Sequence, residues 1–283
     1  MAEGGFYVTL PCNASLSVYP NNKISNYTTR LATPINIKGE WEVGLVQIEY
    51  PRSWYTFNSN DAVFEINIGP TTADGEKYNN SMRHGVGVKT TSLSKLRIPI
   101  KTGYYDNVPS LVSVINDLVA TQGVFGYDRV KNKVFLKAKP NISITFHGKL
   151  AIILGLKPGI PIGDSILQKT NPEKTNFEKD VVTYAMHQSD IHGGFYTLYI
   201  YTDIIRYQSV GDAFVPLLEC VQITGDNNNT VSVRYDKPHY ASINKSVITD
   251  IVIEVKDDQN QHVPFSYGKV CIKLHFRPVK HLV

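Results

Sequence analysis

The C-terminal stretch Val247–Pro278 carries the most restrictive pattern in the chain. Val270, Ile272, Leu274 and Phe276 alternate with Lys269, Cys271, Lys273, His275 and Arg277, the period of two that a strand with one buried and one wet face requires. In the run before it, Val247, Ile251, Ile253 and Val255 take one parity and Asp250, Glu254 and Lys256 the other, which reads as a second strand. The link Asp257–Tyr267 is longer than the roughly two to five residues that join adjacent antiparallel strands. Pro264 within it is barred from most ladder positions. The pair therefore reads as the closing corner of a β-sandwich, where the chain crosses from one sheet to the other.

A chain of 283 residues has room for one large all-β domain or two small ones. Folding at this size removes about three quarters of the unfolded surface from water, so a core forms without covalent staples. The three cysteines, Cys12, Cys220 and Cys271, are odd in number and lack zinc-like spacing, and no disulfide framework is expected. The opening MAEGGFYVTL has no basic region followed by an apolar one, and no apolar run approaches a membrane span. These features read as a soluble intracellular product without a membrane span. Asn-x-Ser/Thr triplets at Asn13, Asn26, Asn79, Asn141, Asn228 and Asn244 support an alternative, a secreted glycan- or protein-binding β-sandwich module. The net charge of +4 permits contact with nucleic acid or acidic lipid without demanding it.

Phe6–Leu10 is a short strand candidate followed by a Pro/Asn-rich stretch, and residues 1–26 read as an N-terminal arm. Leu31, Thr33, Ile35 and Ile37 alternate, Lys38–Gly39 turns the chain, and Trp41–Tyr50 is dense enough in apolar residues to suggest a strand buried on both sides. Asp61–Ile68 reads as a strand and Gly69–Gly87 as a loop. Asn107-Val108-Pro109-Ser110 opens a helix whose apolar face is Leu111, Val114, Ile115, Leu118 and Val119. Tyr127–Phe146 reads as two strands broken at Pro140, and Leu150–Leu154 as a helical turn ended by Gly155. Residues 101–160 thus form an αββα insertion, followed by a polar loop over 159–180. Strands at Val181–Met186, Phe195–Ile205, Phe214–Ile223 and Thr230–Tyr235, separated by turn signals, complete a sandwich or barrel.

Catalytic signatures are sparse. Gly163-Asp164-Ser165-Ile166 matches the start of a GDSL hydrolase block, but Ser165 falls in the mid-chain polar loop rather than at the end of an early strand. His187, Asp190 and His192 are weak candidates for a metal, having no further carboxylate or cysteine signature. No catalytic residue and no cofactor is expected, and a hydrolase using Ser165 or a metal enzyme using His187 and His192 is the remaining alternative. Lys131, Lys133, Lys137 and Lys139 share one strand parity with Phe135, opposite Val134, Leu136 and Ala138. Such a row could face nucleic acid or serve as a solvated, guarded surface. The 17 tyrosines lean toward a protein that binds proteins.

Several segments spread along the chain point one way: Phe6-Tyr-Val-Thr-Leu-Pro11, Tyr19-Pro-Asn-Asn22, Gly39-Glu-Trp-Glu-Val-Gly-Leu45, Glu49-Tyr-Pro with Ser53-Trp54, Val210-Gly-Asp212, Val215-Pro-Leu-Leu218, and Val263-Pro-Phe265 through Leu274-His-Phe-Arg277. Together they resemble the capsid proteins of Polinton/Maverick transposable elements and their virophage and adintovirus relatives, in particular the minor, penton-type protein. The resemblance implies an all-β single jelly-roll of two four-stranded antiparallel sheets over residues 27–283, with the αββα segment inserted and lying on the sandwich or projecting outward. It implies a non-enzymatic structural protein, a homopentamer at the fivefold vertices of an icosahedral capsid beside a double-jelly-roll major capsid protein. The expected location is the virion, assembled in the host cytoplasm or nucleus, with weak contact to packaged DNA through the lysine row. Phe6, Tyr7, Tyr19 and Trp54 are the candidate interface residues, and the arm is the candidate clasp on neighbouring capsomers. Lys38-Gly39-Glu40 is short for an intersheet crossing, so the strands flanking it are expected to pair as a hairpin or to turn a corner.

Overall fold

Strand follows strand through most of the chain, as the alternation demands. The computed structural model describes residues 4–57, 59–60, 62–68, 94–119, 123–138, 142–163 and 181–279. In chain order they form β1 (Phe6–Pro11), β2 (Asn26–Asn36), β3 (Trp41–Pro51), β4 (Val63–Ile68), β5 (Ser94–Pro99), α1 (Val108–Val119), β6 (Gly123–Asp128), β7 (Lys133–Ala138), β8 (Ile142–Phe146), α2 (Gly148–Ile153), β9 (Pro161–Gly163) and β10 (Val181–Tyr184). The remainder are β11 (Thr197–Thr202), β12 (Gln208–Val210), β13 (Ala213–Val215), β14 (Leu217–Gln222), β15 (Thr230–Arg234), β16 (Tyr240–Ser242), β17 (Val247–Lys256) and β18 (Cys271–Pro278). The chain divides into two units, one of Met1–Trp54 with Phe195–Val283 and one of Tyr55–Gly194.

In the first unit the two alternating C-terminal strands lie in different sheets. β18 sits between β1 and β3, with β15 and β16 side by side along the far edge of β3, and β17 sits in the order β14-β11-β17-β2. Chain order therefore alternates between sheets at nearly every step, the winding of a jelly roll. The inward faces merge in one core, where Leu45, Ile272, Leu274 and Phe276 of one sheet meet Ile200, Ile251, Ile253 and Val255 of the other. Each such side chain is fully buried and contributes about 1.5–3 kcal/mol.

Bulges account for two departures from strict alternation. The register of β17 against β2 shifts between Ile248 and Asp250, so Ile248 is buried while Val247 is exposed, the reverse of the parity expected for Val247. On β3 the register shifts opposite Lys273 and Leu274, letting both Leu45 and Ile48 face inward. The apolar density of Trp41–Tyr50 comes from this extra residue. The strand is buried on one face only, and its other face carries Glu42, Gln47 and Glu49. At Lys38–Glu40 the chain turns a corner: β2 and β3 belong to different sheets, and Gly39 takes φ +81°, a left-handed conformation that glycine adopts without steric penalty.

The arm reading of residues 1–26 is corrected by β1, which pairs with β18 along its length from Phe6↔Phe276 to Pro11↔Cys271. Leu10 is wholly buried, and its carbonyl accepts the buried Tyr27 hydroxyl at 3.0 Å. Alternation of Phe6, Val8 and Leu10 inward makes this segment a sheet strand of its own subunit.

The second unit is wider than the expected 101–160, and three strands, β6, β7 and β8, separate its helices where two were expected. It holds the sheets β5-β4-β8-β9 and β10-β7-β6. Asn107 caps α1 by accepting the Ser110 N–H at 2.9 Å, and the helix buries Leu111, Val112, Ile115 and Val119, with Val114 and Leu118 at the edge of the core. Asn116 on α1 exchanges two hydrogen bonds with the backbone of Phe125, a side-chain amide standing in for a neighbouring strand. The polar loop expected over 159–180 begins instead with β9 at Pro161–Gly163, and its remainder from 164, with Ser165, Lys139 and the loop expected over 69–87, lies outside the described residues.

Candidate assembly surface

The outer face of the first sheet is built by one cross-strand row. Tyr7 on β1 lies opposite His275 on β18, His275 opposite Gly44 on β3, and Gly44 opposite Tyr240 on β16. The missing side chain at Gly44 lets His275 and Tyr240 meet, with Nδ1 and the phenol oxygen 2.7 Å apart. Tyr7 stacks on His275 with ring centroids at 4.6 Å and carries the Lys273 ammonium at 5.0 Å. The Arg277 guanidinium lies 3.4 Å above the Tyr240 ring, and its Nε donates to Glu42 at 2.6 Å. Burial, and then the Arg277 charge, pushes the His275 pKa below its ordinary value. With Tyr7 61% exposed, this face joins flat aromatic surface to charges held in place, the composition of a protein-binding rim.

Phe6, one residue away, points to the opposite side of β1. Its ring stacks on Phe276 at 5.0 Å and meets Trp41 at 5.7 Å. Together with Pro34, Ile35 and Ile37, Phe6 and Trp41 line an apolar groove of about 370 Å³. A more polar cleft of about 250 Å³ shares Ile37 and Trp41 with the groove and reaches Arg206. From Arg206 the chain enters the hairpin β12–β13, which leaves Tyr207 56% and Phe214 67% exposed, their rings 5.8 Å apart. Sequence reading missed this hairpin because Phe214–Ile223 was expected as one strand. Pro216, which has no N–H for the ladder, marks the break between β13 and β14.

Two of the candidate interface residues serve the subunit itself. Trp54 is only 9% exposed and is held edge-on by Phe195 at 5.3 Å and Phe265 at 5.7 Å; it is a core residue, because it is the aromatic that fills the space beside Tyr50 at the end of β3. Tyr19 donates its hydroxyl to Asp250 and lies under the Arg30 guanidinium, pinning the turn that follows β1 to the second sheet.

In the second unit, Val134, Leu136 and Ala138 are buried and Lys133, Phe135 and Lys137 take the outer face of β7, the split the sequence indicates. Lys131 stands in the turn before the strand, 4.0 Å from the Tyr184 ring and 3.7 Å from Asp128, while Lys133 donates to the Met186 carbonyl at 2.9 Å. The row is therefore shorter than expected and partly engaged.

His187, Asp190 and His192 do not converge, and among the described residues no group of three His, Cys, Asp or Glu side chains is placed to hold a metal. Their segment closes α2 instead. The His187 N–H donates to the Gly155 carbonyl at 2.9 Å and the Asp190 N–H to the Ile153 carbonyl at 2.9 Å. The Ser189 hydroxyl donates to the Leu154 carbonyl at 3.2 Å. The Asp190 carboxylate accepts the N–H groups of His192 and Gly194, which makes it the organiser of a turn. No helix of the described residues is long and apolar enough to cross a membrane.

No protein-family model matches the chain, and no curated protein matches its sequence. Among solved structures, the crystal structure of the selenomethionine-labelled mavirus penton protein aligns with 97% of this chain and 99% of its own, at 10% identity and a TM-score of 0.50. The 3.5 Å electron cryomicroscopy structure of the Sputnik virophage aligns with 98% of this chain and 98% of its own, at 13% identity and a TM-score of 0.49. The chain thus shares the fold of a viral penton protein over nearly its whole length.

Proposed function

We propose that this chain is a penton-type minor capsid protein of the Polinton/Maverick, virophage and adintovirus kind. It works by interfaces and carries out no chemistry. Five copies close each fivefold vertex of an icosahedral shell, beside a double-jelly-roll major capsid protein, within a virion assembled in the host cytoplasm or nucleus. The observation that carries this reading is the likeness to the mavirus penton protein, which spans 97% of the chain and so takes in both units. The exposed aromatic row around Tyr7 and the exposed hairpin support it, since a closed ring needs two different complementary sides on every copy. The outer face of β7, with Lys133 and Lys137, is the surface proposed to touch packaged DNA. The test is native mass spectrometry and particle imaging of the purified chain. Rings of five support the reading, and a chain that stays monomeric at every concentration overturns it.

A further inference from the structure

We propose that the hairpin β12–β13 of one copy seats Phe214 in the apolar groove between Phe6, Pro34, Ile35, Ile37 and Trp41 of a second copy, forming the contact that propagates around the ring. The inference rests on the penton reading and names the surfaces that reading needs. Phe214 is 67% exposed and Tyr207 56%, side by side on a two-stranded sheet that pairs with no further strand among the described residues. A hairpin of this size gains little from its own ladder, so its aromatic pair has a reason to exist only against a surface. The groove offers the complement: about 370 Å³ lined almost entirely by apolar side chains, a volume suited to an aromatic anchor.

Charge identifies the occupant as a second copy of this chain. Asp212, at the exposed tip of the hairpin between Gly211 and Ala213, is the acid of this segment. Ile37 and Trp41 line both the groove and the cleft that holds Arg206 and Glu40, and Lys38 stands exposed beside Ile37. An acidic tip flanked by an aromatic thus meets an apolar groove beside a cleft where Arg206 and the exposed Lys38 outnumber the Glu40 carboxylate. Donor and acceptor are different patches of the same chain, so the contact is head-to-tail, and it builds rings where the rotation closes.

Phe214→Asp and the charge reversals Asp212→Lys and Arg206→Glu change exposed side chains, and their melting curves report whether the subunit stays folded. In native mass spectrometry, Phe214→Asp is expected to weaken ring formation by about tenfold or more. Asp212→Lys and Arg206→Glu each weaken it, and the double reversal restores it. A second measurement places cysteines at Pro34 and at the exposed Ala213, leaving Phe214 in place, in a Cys220→Ser background. Oxidation is expected to give disulfide-linked multimers, and a monomer with an internal disulfide overturns the inference. Rings that persist unchanged in Phe214→Asp overturn it while leaving the penton reading intact. A wild-type chain that forms no ring, with no linked multimers from the cysteine pair, removes both. Linked dimers without rings uphold the hairpin contact and remove the fivefold assembly.

Discussion

The Tyr19 hydroxyl donates to the Asp250 carboxylate at 2.5 Å, joining residues 231 positions apart in the chain. Asp250 also accepts from Arg30 Nε at 3.1 Å and from Thr249 at 2.8 Å. These donors, Tyr19 foremost, hold its pKa below the ordinary 3.8. A carboxylate depressed in the native state contributes stability that is full above its unfolded value and is lost as pH falls through the native one. Asp250→Asn is therefore expected to lower the urea midpoint at neutral pH, with the gap to wild type closing as the buffer is taken below 3.8. A gap that stays constant from neutral pH to acid contradicts the arrangement.

His275 titrates in a different window with the same sign. Its pKa is lowered from 6.5 by burial and then by Arg277, while Tyr7 stacks on its ring and the Tyr240 hydroxyl meets Nδ1. In the native state the proton binds less readily than in the unfolded chain, so stability is full above 6.5 and declines as pH falls below it. His275→Gln is expected to flatten that slope, measured as melting temperature against pH.

Pairing of β1 with β18 turns the expected clasp into part of the subunit. Removal of residues 1–11 uncovers Ile272, Leu274 and Phe276 and leaves the buried Tyr27 hydroxyl without the Leu10 carbonyl. A loss of about 3–5 kcal/mol or more is expected, enough to unfold a marginal domain. Removal of residues 1–5 spares the strand and is expected to leave the melting temperature unchanged. Circular dichroism on the two deletions separates the alternatives.

Trp54 makes the same point in one side chain. Truncation to alanine opens a cavity between Tyr50, Phe195 and Phe265, and a loss of about 3–5 kcal/mol is expected. The loss appears in the unfolding of the isolated subunit, before any assembly is measured.

The sandwich was legible because one face of each strand must avoid water, and β18 shows that alternation without interruption. The crossing at Asp257–Tyr267 followed from loop length and from Pro264. Bulges were not legible: nothing in Val247-Ile248-Thr249 announces that one residue will be skipped, and the shift exchanges which of Val247 and Ile248 is buried. Exposure of Phe214 was hidden for a similar reason, since a phenylalanine before an apolar run reads as core until Pro216 is given its weight. The string His187-x-x-Asp190-x-His192 stood as a weak metal candidate because metal-ligand spacing and helix closure use the same small set of polar residues. Backbone groups of that segment, which no sequence pattern reports, satisfy the carbonyls of α2.

The end of α2 offers a test of how tightly this closure is packed. The Gly155 N–H donates to the Ile152 carbonyl and the Leu156 N–H to the Ala151 carbonyl, both at 2.9 Å, the paired bonds of a Schellman cap. Gly155 has φ +74°, and a Cβ built there lies 2.3 Å from the His187 carbonyl oxygen and 2.9 Å from that of Gln188. Gly39 has a similar φ of +81° with nothing within 4 Å of its would-be Cβ. Alanine at Gly39 therefore carries only the left-handed backbone penalty, about 1–2 kcal/mol. Alanine at Gly155 adds a clash with backbone that cannot withdraw without breaking the closure of α2, so a total of about 3 kcal/mol or more is expected. Denaturant unfolding of the two variants measures the difference, and equal losses would mean that the 187–190 segment yields freely to a side chain at Gly155.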